Sequence, residues 1–576
     1  MSENWYVAMK SGDFSRISKK FHIDPVVARV LRNREIISDE AIEMFLNGGI
    51  ESLYDPHLMK DVDRTCEILE EKIRNGEKIR ILGDYDIDGV TSTYILYRGI
   101  RTVGGRVDTV IPNRMTDGYG LNAKLIQDAL EDGIDTLITC DNGISAAAEI
   151  AQGRAGGMTI LVTDHHDLPF EWKEDGSRRY SSCGADAVVN PKQEDCNYPF
   201  QGLCGAGVAF KVVQVLYERF HVEPEELMAL LPYAAMGTVG DVVDLVDENR
   251  VLVKCGLKRL NEQPDLALQA LIDACNLTPG TITAYHIGFV LGPCINASGR
   301  LDTAKRALEL LQSKDREQAA ALAAELVELN TTRKKMTEEY CQQALQIIHQ
   351  EKLEQDSVLL VYLPECHESI AGIIAGRIKE IFHKPAFVVT KSGELAKGSG
   401  RSIEAYSMYD EMVKVKDCFL KFGGHKLAAG MSLEVERVQE LRRRLNENSS
   451  LTEEDFKEKI KIDVPMPMSY VTQELMEQFS KLEPFGKANP KPLFAEKNLT
   501  LKQYRVLGEK QNVVQVVLKS PQGIYSDCIF FGNVPDFVEF CKRKESSRES
   551  INVTYQPHDN EYHGRHKKQM IIRNYA

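Results

Sequence analysis

Ile79-Arg-Ile-Leu-Gly-Asp-Tyr-Asp-Ile-Asp-Gly89 decides how the chain is read. A short apolar run, 79–82, passes directly into a turn holding three carboxylates, Asp84, Asp86 and Asp88. Residues 92–103 then place apolar side chains at helical spacing. The unit recurs downstream, where apolar runs at 107–111, 136–139, 159–162 and 185–189 alternate with helical stretches such as 123–132. Strand and helix in repeated alternation predict an α/β lobe built on a largely parallel sheet covered on both faces.

The acids stand where predicted strands end. The 136–139 run leads into Cys140-Asp141-Asn-Gly143, and the 159–162 run into Thr163-Asp164-His165-His166. Met236-Gly-Thr-Val-Gly-Asp241 follows another apolar segment. The carboxyl ends of strands in an open parallel sheet share one edge, where such folds bind ligands. Four acid-bearing turns at strand ends are therefore expected to converge. Taken singly, each has an ordinary explanation: Asp before Asn-Gly is common turn chemistry, and a His pair can simply be exposed. Together they need cations, because crowded carboxylates raise one another's pKa unless neutralised. Oxygen-rich donors with a minority of imidazole suit Mn²⁺ or Mg²⁺. Two such ions about 3.5–4 Å apart can hold the attacking and leaving oxygens of a phosphoryl displacement.

The 576 residues predict three or four domains, and 43% hydrophobic with 27% charged residues excludes global disorder. No apolar run approaches the ~18–20 residues needed to span a bilayer, and the start lacks the pattern of a signal peptide, so a cytoplasmic chain without membrane attachment is expected. The 13 cysteines contain no C-x-x-C and read as buried, reduced thiols. A net charge of -14 argues against a uniformly basic nucleic-acid binder but not against a local groove. The expected order is a mostly helical segment at 1–75, the acidic α/β lobe at 76–300, a connecting helix at 301–350, a second α/β lobe at 351–445 and a small β-barrel at 455–576. A continuous helix over 316–350 would make a strut of about 50 Å between lobes. Within 541–576, Lys542, Arg543, Lys544, Arg548, Arg565, Lys567, Lys568 and Arg573 outnumber four acids and are interleaved with Tyr555, Tyr562 and Tyr575. On a barrel that pattern suits tracking of a single strand by phosphate neutralisation and base stacking.

The 83–89 turn, Asp141-Asn-Gly143, Asp164-His165-His166 and Gly237-Thr-Val-Gly-Asp241 resemble the four motifs of the DHH phosphoesterases. Their order and spacing resemble the RecJ-type exonucleases of bacteria. Arg114-Met-Thr-Asp-Gly-Tyr-Gly120 and Gly292-Pro-Cys-Ile-Asn-Ala-Ser-Gly-Arg300 resemble additions of that branch. Gly398-Ser-Gly-Arg-Ser402 and Gly423-Gly-His-Lys-Leu-Ala-Ala-Gly430 resemble the DHHA1 domain, and the barrel is similar to an OB domain. The resemblance implies that Asp86, Asp88, Asp141, His165 and Asp241 coordinate two ions, with Asp141 and Asp241 shared. It implies that His166 acts at the scissile phosphate, and that Asp84 is a further acid, whether ligand or not. Arg114, Arg300, Ser399 and Arg401 would hold the substrate backbone or a 5′ phosphate, and His425 would lie on the substrate-side loop. The implied activity is 5′-to-3′ hydrolysis of single-stranded DNA to mononucleotides, with water activated by Mn²⁺ or Mg²⁺. Implied roles are recombination and repair, with a helicase and a single-strand-binding protein as partners of a monomer. Guanidinium groups suit the task, because an exonuclease must recognise a free end and arginine binds a terminal phosphate bidentately.

Three positions depart from the pattern. Leu82 stands where many relatives have His, Cys294 where many have Arg, and Gly240 where Ala is usual. Loss of one substrate contact is expected at Cys294, and no consequence at Gly240. Two rivals remain within reach of the residues. A phosphodiesterase for cyclic dinucleotides would need neither strut nor barrel, and a catalytically dead DNA-binding scaffold would not need the acids. A dinucleotide-binding oxidoreductase is disfavoured, because the first turn is acidic where a pyrophosphate needs Gly-rich backbone donors.

Overall fold

The computed structural model describes residues 4–114, 120–173, 175, 177–508, 510–562 and 565–576. Strands Lys78–Leu82, Arg106–Val110, Thr136–Cys140, Thr159–Thr163 and Ala187–Val189 form one parallel sheet. In space the second strand lies outside the first, and the third, fourth and fifth follow on its other side. Strand order thus reverses between Lys78–Leu82 and Thr136–Cys140, which places the ligand crevice at their carboxyl ends. Alternate side chains serve opposite faces. Ile79, Ile81, Ile138 and Leu161 pack under helices Val62–Arg74, Ile87–Thr102 and Gly205–Arg219. Leu82, Leu137, Ile160 and Val162 pack with Ile126 and Ile150 on the other face. Leu82 therefore takes up a core position.

Asp241 does not arrive on a strand. It is the C-cap of helix Leu231–Gly240, which is buried through residues 231–238. A helix enclosed on all sides is apolar all round, and such a segment cannot be told from a buried strand by composition.

Helix Arg316–Gln350 is unbroken over 35 residues. Ala319, Ala323 and Leu326 belong to the core of the first lobe, and Ala344 and Ile348 to that of the second, so one rod serves both. The second-lobe sheet runs Lys421–His425, Ala428–Glu434, Leu395–Arg401, Ala386–Ser392, Leu359–Tyr362, with only the last pair parallel. Strands Phe494–Leu507, Val513–Lys519, Tyr525–Phe531, Arg565–Tyr575 and Ile551–Tyr562 close into a barrel, because the first also pairs with the last. The α/β class, long helix and small barrel are those expected.

The N-terminal segment is mostly helical, and it packs on the barrel region. Strand Asn4–Val7 pairs with Lys459–Ile462, and Val27, Leu31 and Ile42 share a core with Val464 and Phe494 of the barrel region. Helices of eight and nine residues supply too few apolar side chains for a core of their own. One expectation needs correction: Tyr555 and Tyr575 do not form a stacking platform. Tyr555 is buried and its hydroxyl donates to the Met466 carbonyl (2.8 Å), while Tyr575 packs on Phe537 and Phe540. Lys542, Arg543 and Lys544 ride on helix Val534–Ser547 rather than on a strand. The side chains of Tyr562, Arg565 and Lys567 lie outside those described. All 13 cysteines are free thiols, and among the described residues no helix is long and apolar enough to cross a membrane.

Candidate active site

The acidic turn is built by the start of helix Ile87–Thr102. Asp86 is its N-cap and accepts from the backbone N–H groups of Asp88 (3.0 Å) and Gly89 (3.1 Å). Asp88, fully buried, accepts from the N–H groups of Gly205 (2.6 Å) and Ala206 (2.8 Å), which open the next long helix. Two helix N-termini thus point at one carboxylate pair and favour its charge. Gly237 is required here by close approach, since a Cβ would lie 2.5 Å from Asp88 Oδ1 and 2.5 Å from the Ala206 methyl. Gly240 is closely packed as well, and the glycine fits where it stands. A methyl there would meet Ile87 Cγ2 at 2.2 Å, so in this chain alanine would force Ile87 aside.

Asp141 follows its strand in a left-handed conformation (φ 61°) and is buried. His165 Nε2 lies 3.0 Å from Asp141 Oδ1, 3.7 Å from Asp88 Oδ2 and 3.8 Å from Asp241 Oδ2, which brings three separate motifs onto one imidazole. Asp164 organises the histidines without joining them. It accepts from the N–H groups of Ile144 (2.9 Å), His165 (2.7 Å) and His166 (3.0 Å), and pairs with His166 Nδ1 at 2.7 Å.

Three sets of donors, Asp84/Asp86/Asp141, Asp88/His165/Asp241 and Asp141/His165/His166, each have ligand atoms within 4.8 Å of one another. Asp141 and His165 are each common to two sets, whereas Asp241 belongs to one. Burial, then the charges of neighbouring acids, holds Asp84 and Asp141 well above the usual carboxylate range and pushes Asp241 up to about 8. Asp86 is raised for the same reasons. Burial lowers His165. Desolvation also pulls on His166, but the hydrogen bond and charge of Asp164 outweigh it and raise the imidazole to about 9. Asp84 Oδ1 is buried with no hydrogen-bond partner among the described residues. Such a group needs a cation or a proton. The donors are carboxylate oxygens with imidazole and no thiolate, a set that fits Mn²⁺ or Mg²⁺.

A cavity of about 230 Å³ joins this cluster to the second lobe. Asp84, Tyr85 and Asp86 line one side; Arg114, Arg300, Ser399 and Arg401 line the rest, with Asn296, Ser369 and Gly372. Ser399 and Arg401 alternate along strand Leu395–Arg401 and so share a face. Arg300 donates to the Ser369 carbonyl (2.6 Å), and Arg114 lies 5.0 Å from the Tyr85 ring centre. Burial and then the charge of Arg114 lower both Arg300, to about 10, and Arg401. Three guanidinium groups that disfavour one another around one cavity form a site for an anion. Residues 115–119 of the Arg114 motif lie outside those described.

Other expected residues fall elsewhere. His425 is exposed at the end of an edge strand and does not line this cavity. Cys294 turns from the cavity: Asn330 Nδ2 donates to its sulfur (3.3 Å), and Cys275 Sγ lies 3.8 Å away. Tyr85, Asn296 and Ser369 are not singled out by the sequence. Asn296, whose Oδ1 accepts from Ile87 N–H at 2.7 Å, lies inside a motif already noted; Ser369 carries no such signal.

A second, apolar groove of about 840 Å³ begins beside Asp241. Val239, Gly240 and Val242 line it with Tyr285, Phe289 and residues 483–487. The Tyr285 and Phe289 rings are exposed and stack 4.9 Å apart.

The domain families found along the chain are the DHH family N-terminal domain at 78–238, the DHHA1 domain at 355–450 and the RecJ OB domain at 462–574. The single-stranded-DNA-specific exonuclease RecJ of Bacillus subtilis is 34% identical over 566 residues, covering 97% of this chain and 69% of that protein. That of Escherichia coli is 32% identical over 575 residues, covering 96% of each. The crystal structure of Thermus thermophilus RecJ with Mn²⁺ superposes with a TM-score of 0.83 at 26% identity, over 100% of this chain and 79% of that one. Its Mg²⁺ complex gives 0.77 at 25% identity, over 99% and 78%. With its three domains in this order and relatives more than 30% identical along nearly the whole length, the chain belongs to the RecJ family of DHH-type exonucleases.

Proposed function

We propose that the protein is a Mn²⁺- or Mg²⁺-dependent exonuclease that hydrolyses single-stranded DNA from its 5′ end to mononucleotides. One observation carries the reading: Asp84 and Asp86, which belong to the acidic cluster, line one small cavity together with guanidinium groups of both lobes. Asp84, Asp86, Asp88, Asp141, His165 and Asp241 would hold two ions, which when bound supply charge neutralisation at phosphate and activation of water. Arg114, Arg300 and Arg401, with the Ser399 hydroxyl, bind the terminal phosphate and set how far the strand enters. The cavity has room for little more than that end, so bonds are cut one residue at a time. His166, kept protonated by Asp164, holds the scissile phosphate or gives its proton to the leaving oxygen. Asn296 fixes the acidic turn by its bond to Ile87 N–H. The apolar groove with stacked Tyr285 and Phe289 takes unpaired bases, whose faces are available only in a single strand.

The same reading gives the enzyme a place in recombination and in mismatch and base excision repair. It would act as a cytoplasmic monomer on strands opened by a helicase and coated by a single-strand-binding protein; these features rest on the family alone. The test is digestion of linear and closed circular single strands of one sequence, in Mn²⁺ and in EDTA. Loss of the linear strand alone, only in Mn²⁺, is the expected result. Nicking of circles would refute an end-bound mechanism, and tight binding without cleavage would mark a scaffold.

A further inference from the structure

Among the described residues Arg250, on helix Asp247–Glu262, is the largest side chain withdrawn from solvent, 1% exposed. It makes no ion pair with a carboxylate among the described residues. Instead every nitrogen donates to backbone carbonyls: Nε to Phe45 (3.0 Å), Nη1 to Leu482 (3.1 Å) and Pro484 (3.4 Å), and Nη2 to Lys481 (2.9 Å) and Glu483 (2.6 Å). The guanidinium also lies 3.7 Å from the centre of the Phe45 ring. A buried charge without a counter-ion is costly, and a well-packed apolar residue would serve stability as well or better. What the planar fork adds is geometry, because it holds four successive carbonyls of one turn in fixed places.

That turn leads directly into one wall of the apolar groove. Residues 483–487 line the groove together with Val239, Val242, Tyr285 and Phe289, and the helix bearing Arg250 belongs to the lobe that carries Asp241. The wall is stitched at two further points. Leu245 N–H donates to the Lys487 carbonyl (2.9 Å), and Asn489 Nδ2 donates to the same Leu482 and Pro484 carbonyls that Arg250 holds (2.9 and 2.8 Å).

We infer that Arg250 is a positioning residue for the nuclease reaction: it fixes the wall of the groove against the metal-bearing lobe and so sets the grip on nucleotides beyond the scissile one. This rests on the nuclease reading above. The residue touches neither substrate nor ion, so its loss should be felt by long strands and not by substrates too short to reach the groove.

The experiment compares wild type, Arg250→Lys and Arg250→Ala on a 5′-phosphorylated trinucleotide and a 5′-phosphorylated 20-mer in Mn²⁺, with thermal melts alongside. Expected for Arg250→Lys is a KM for the 20-mer raised about tenfold, with kcat/KM on the trinucleotide within about twofold of wild type. Methylguanidinium at millimolar concentration should restore the 20-mer KM of Arg250→Ala, and methylammonium should not. Should the arginine variants fail to fold, Asn489→Ala, which loosens the same carbonyls, is expected to show the same split. Equal losses on both substrates, or an unchanged 20-mer KM, would overturn the inference. A wild-type protein inert on both substrates would instead remove the nuclease reading, and this inference with it.

Discussion

Asp241→Asn separates the cost of the acidic cluster from its use. Asp241 caps the carboxyl end of a helix, where the dipole disfavours negative charge. Without a cation, burial and the charges of Asp88 and Asp86 take its carboxyl from an ordinary 3.8 to about 8. At about 1.36 kcal/mol per pH unit that is at most roughly 5–6 kcal/mol against the ionised form. The acids share protons, and the Asp241 side chain is 27% exposed, so about 1–3 kcal/mol is a reasonable share for this residue alone. The sign follows from linkage. An acid raised on folding costs nothing below its unfolded value, costs progressively more as pH climbs from about 4 to 8, and carries the full penalty above that. In EDTA the isosteric, uncharged asparagine should therefore stabilise the protein by about 1–3 kcal/mol at pH 8.5, a few degrees in melting temperature, and by much less at pH 5. In Mn²⁺ the order reverses. The variant should lose most of the metal-induced stabilisation and about a thousandfold in turnover, roughly 4 kcal/mol. Thermal melts at the two pH values, with EDTA or Mn²⁺, together with single-turnover cleavage, make the comparison. A variant no more stable than wild type in EDTA at pH 8.5, or equally favoured at pH 5, would refute the reasoning.

Other outcomes are as definite. Arg401→Gln should lower kcat/KM about 10–100-fold on 5′-phosphorylated strands and far less on 5′-hydroxyl strands, the loss of one charge-assisted phosphate contact. Gly237→Ala, which drives a methyl into Asp88 Oδ1, should weaken Mn²⁺ binding at least tenfold by calorimetry, through displacement of a ligand rather than its removal. Lys211→Met should cost about 3–5 kcal/mol in urea unfolding, because Lys211 and Glu248 form a fully buried pair at 2.6 Å and the glutamate would be left unpaired. Mn²⁺ titration at pH 7 should release protons, since ligands raised above the usual carboxylate range must ionise to bind; calorimetry in buffers of different ionisation enthalpy measures the number.

Much of this site is legible in the sequence because its chemistry sits at strand ends. A parallel sheet carries residues as far apart as Asp84 and His165 to one edge, so Asp84, Asp86, Asp88, Asp141 and His165 can be grouped from periodicity alone. Asp241 joins the group as expected but by a different route, since an enclosed helix and a buried strand share the same apolar composition. Strand Phe494–Leu507 leaves little trace, because Glu496, Lys497 and Asn498 break its alternation and the register shifts between Glu496 and Leu499. Tyr555 and Tyr575 mislead for another reason. An aromatic beside basic residues reads alike whether the ring faces solvent or core, and only the packing of Phe494, Phe537 and Phe540 decides it. The groove, the Arg250 fork and the union of the N-terminal helices with the barrel join segments more than 200 residues apart, and no local pattern announces such contacts.

The most direct test of the whole account is cleavage of one single-stranded oligonucleotide labelled at either end, in Mn²⁺, Mg²⁺ or EDTA, beside a blunt duplex and the Asp141→Ala variant. The account requires metal-dependent release of the 5′ label as a mononucleotide while the 3′ label stays on shortening strands, with duplex spared and the variant inactive. Release of the 3′ label first, or turnover of dinucleotides with long strands untouched, would contradict it.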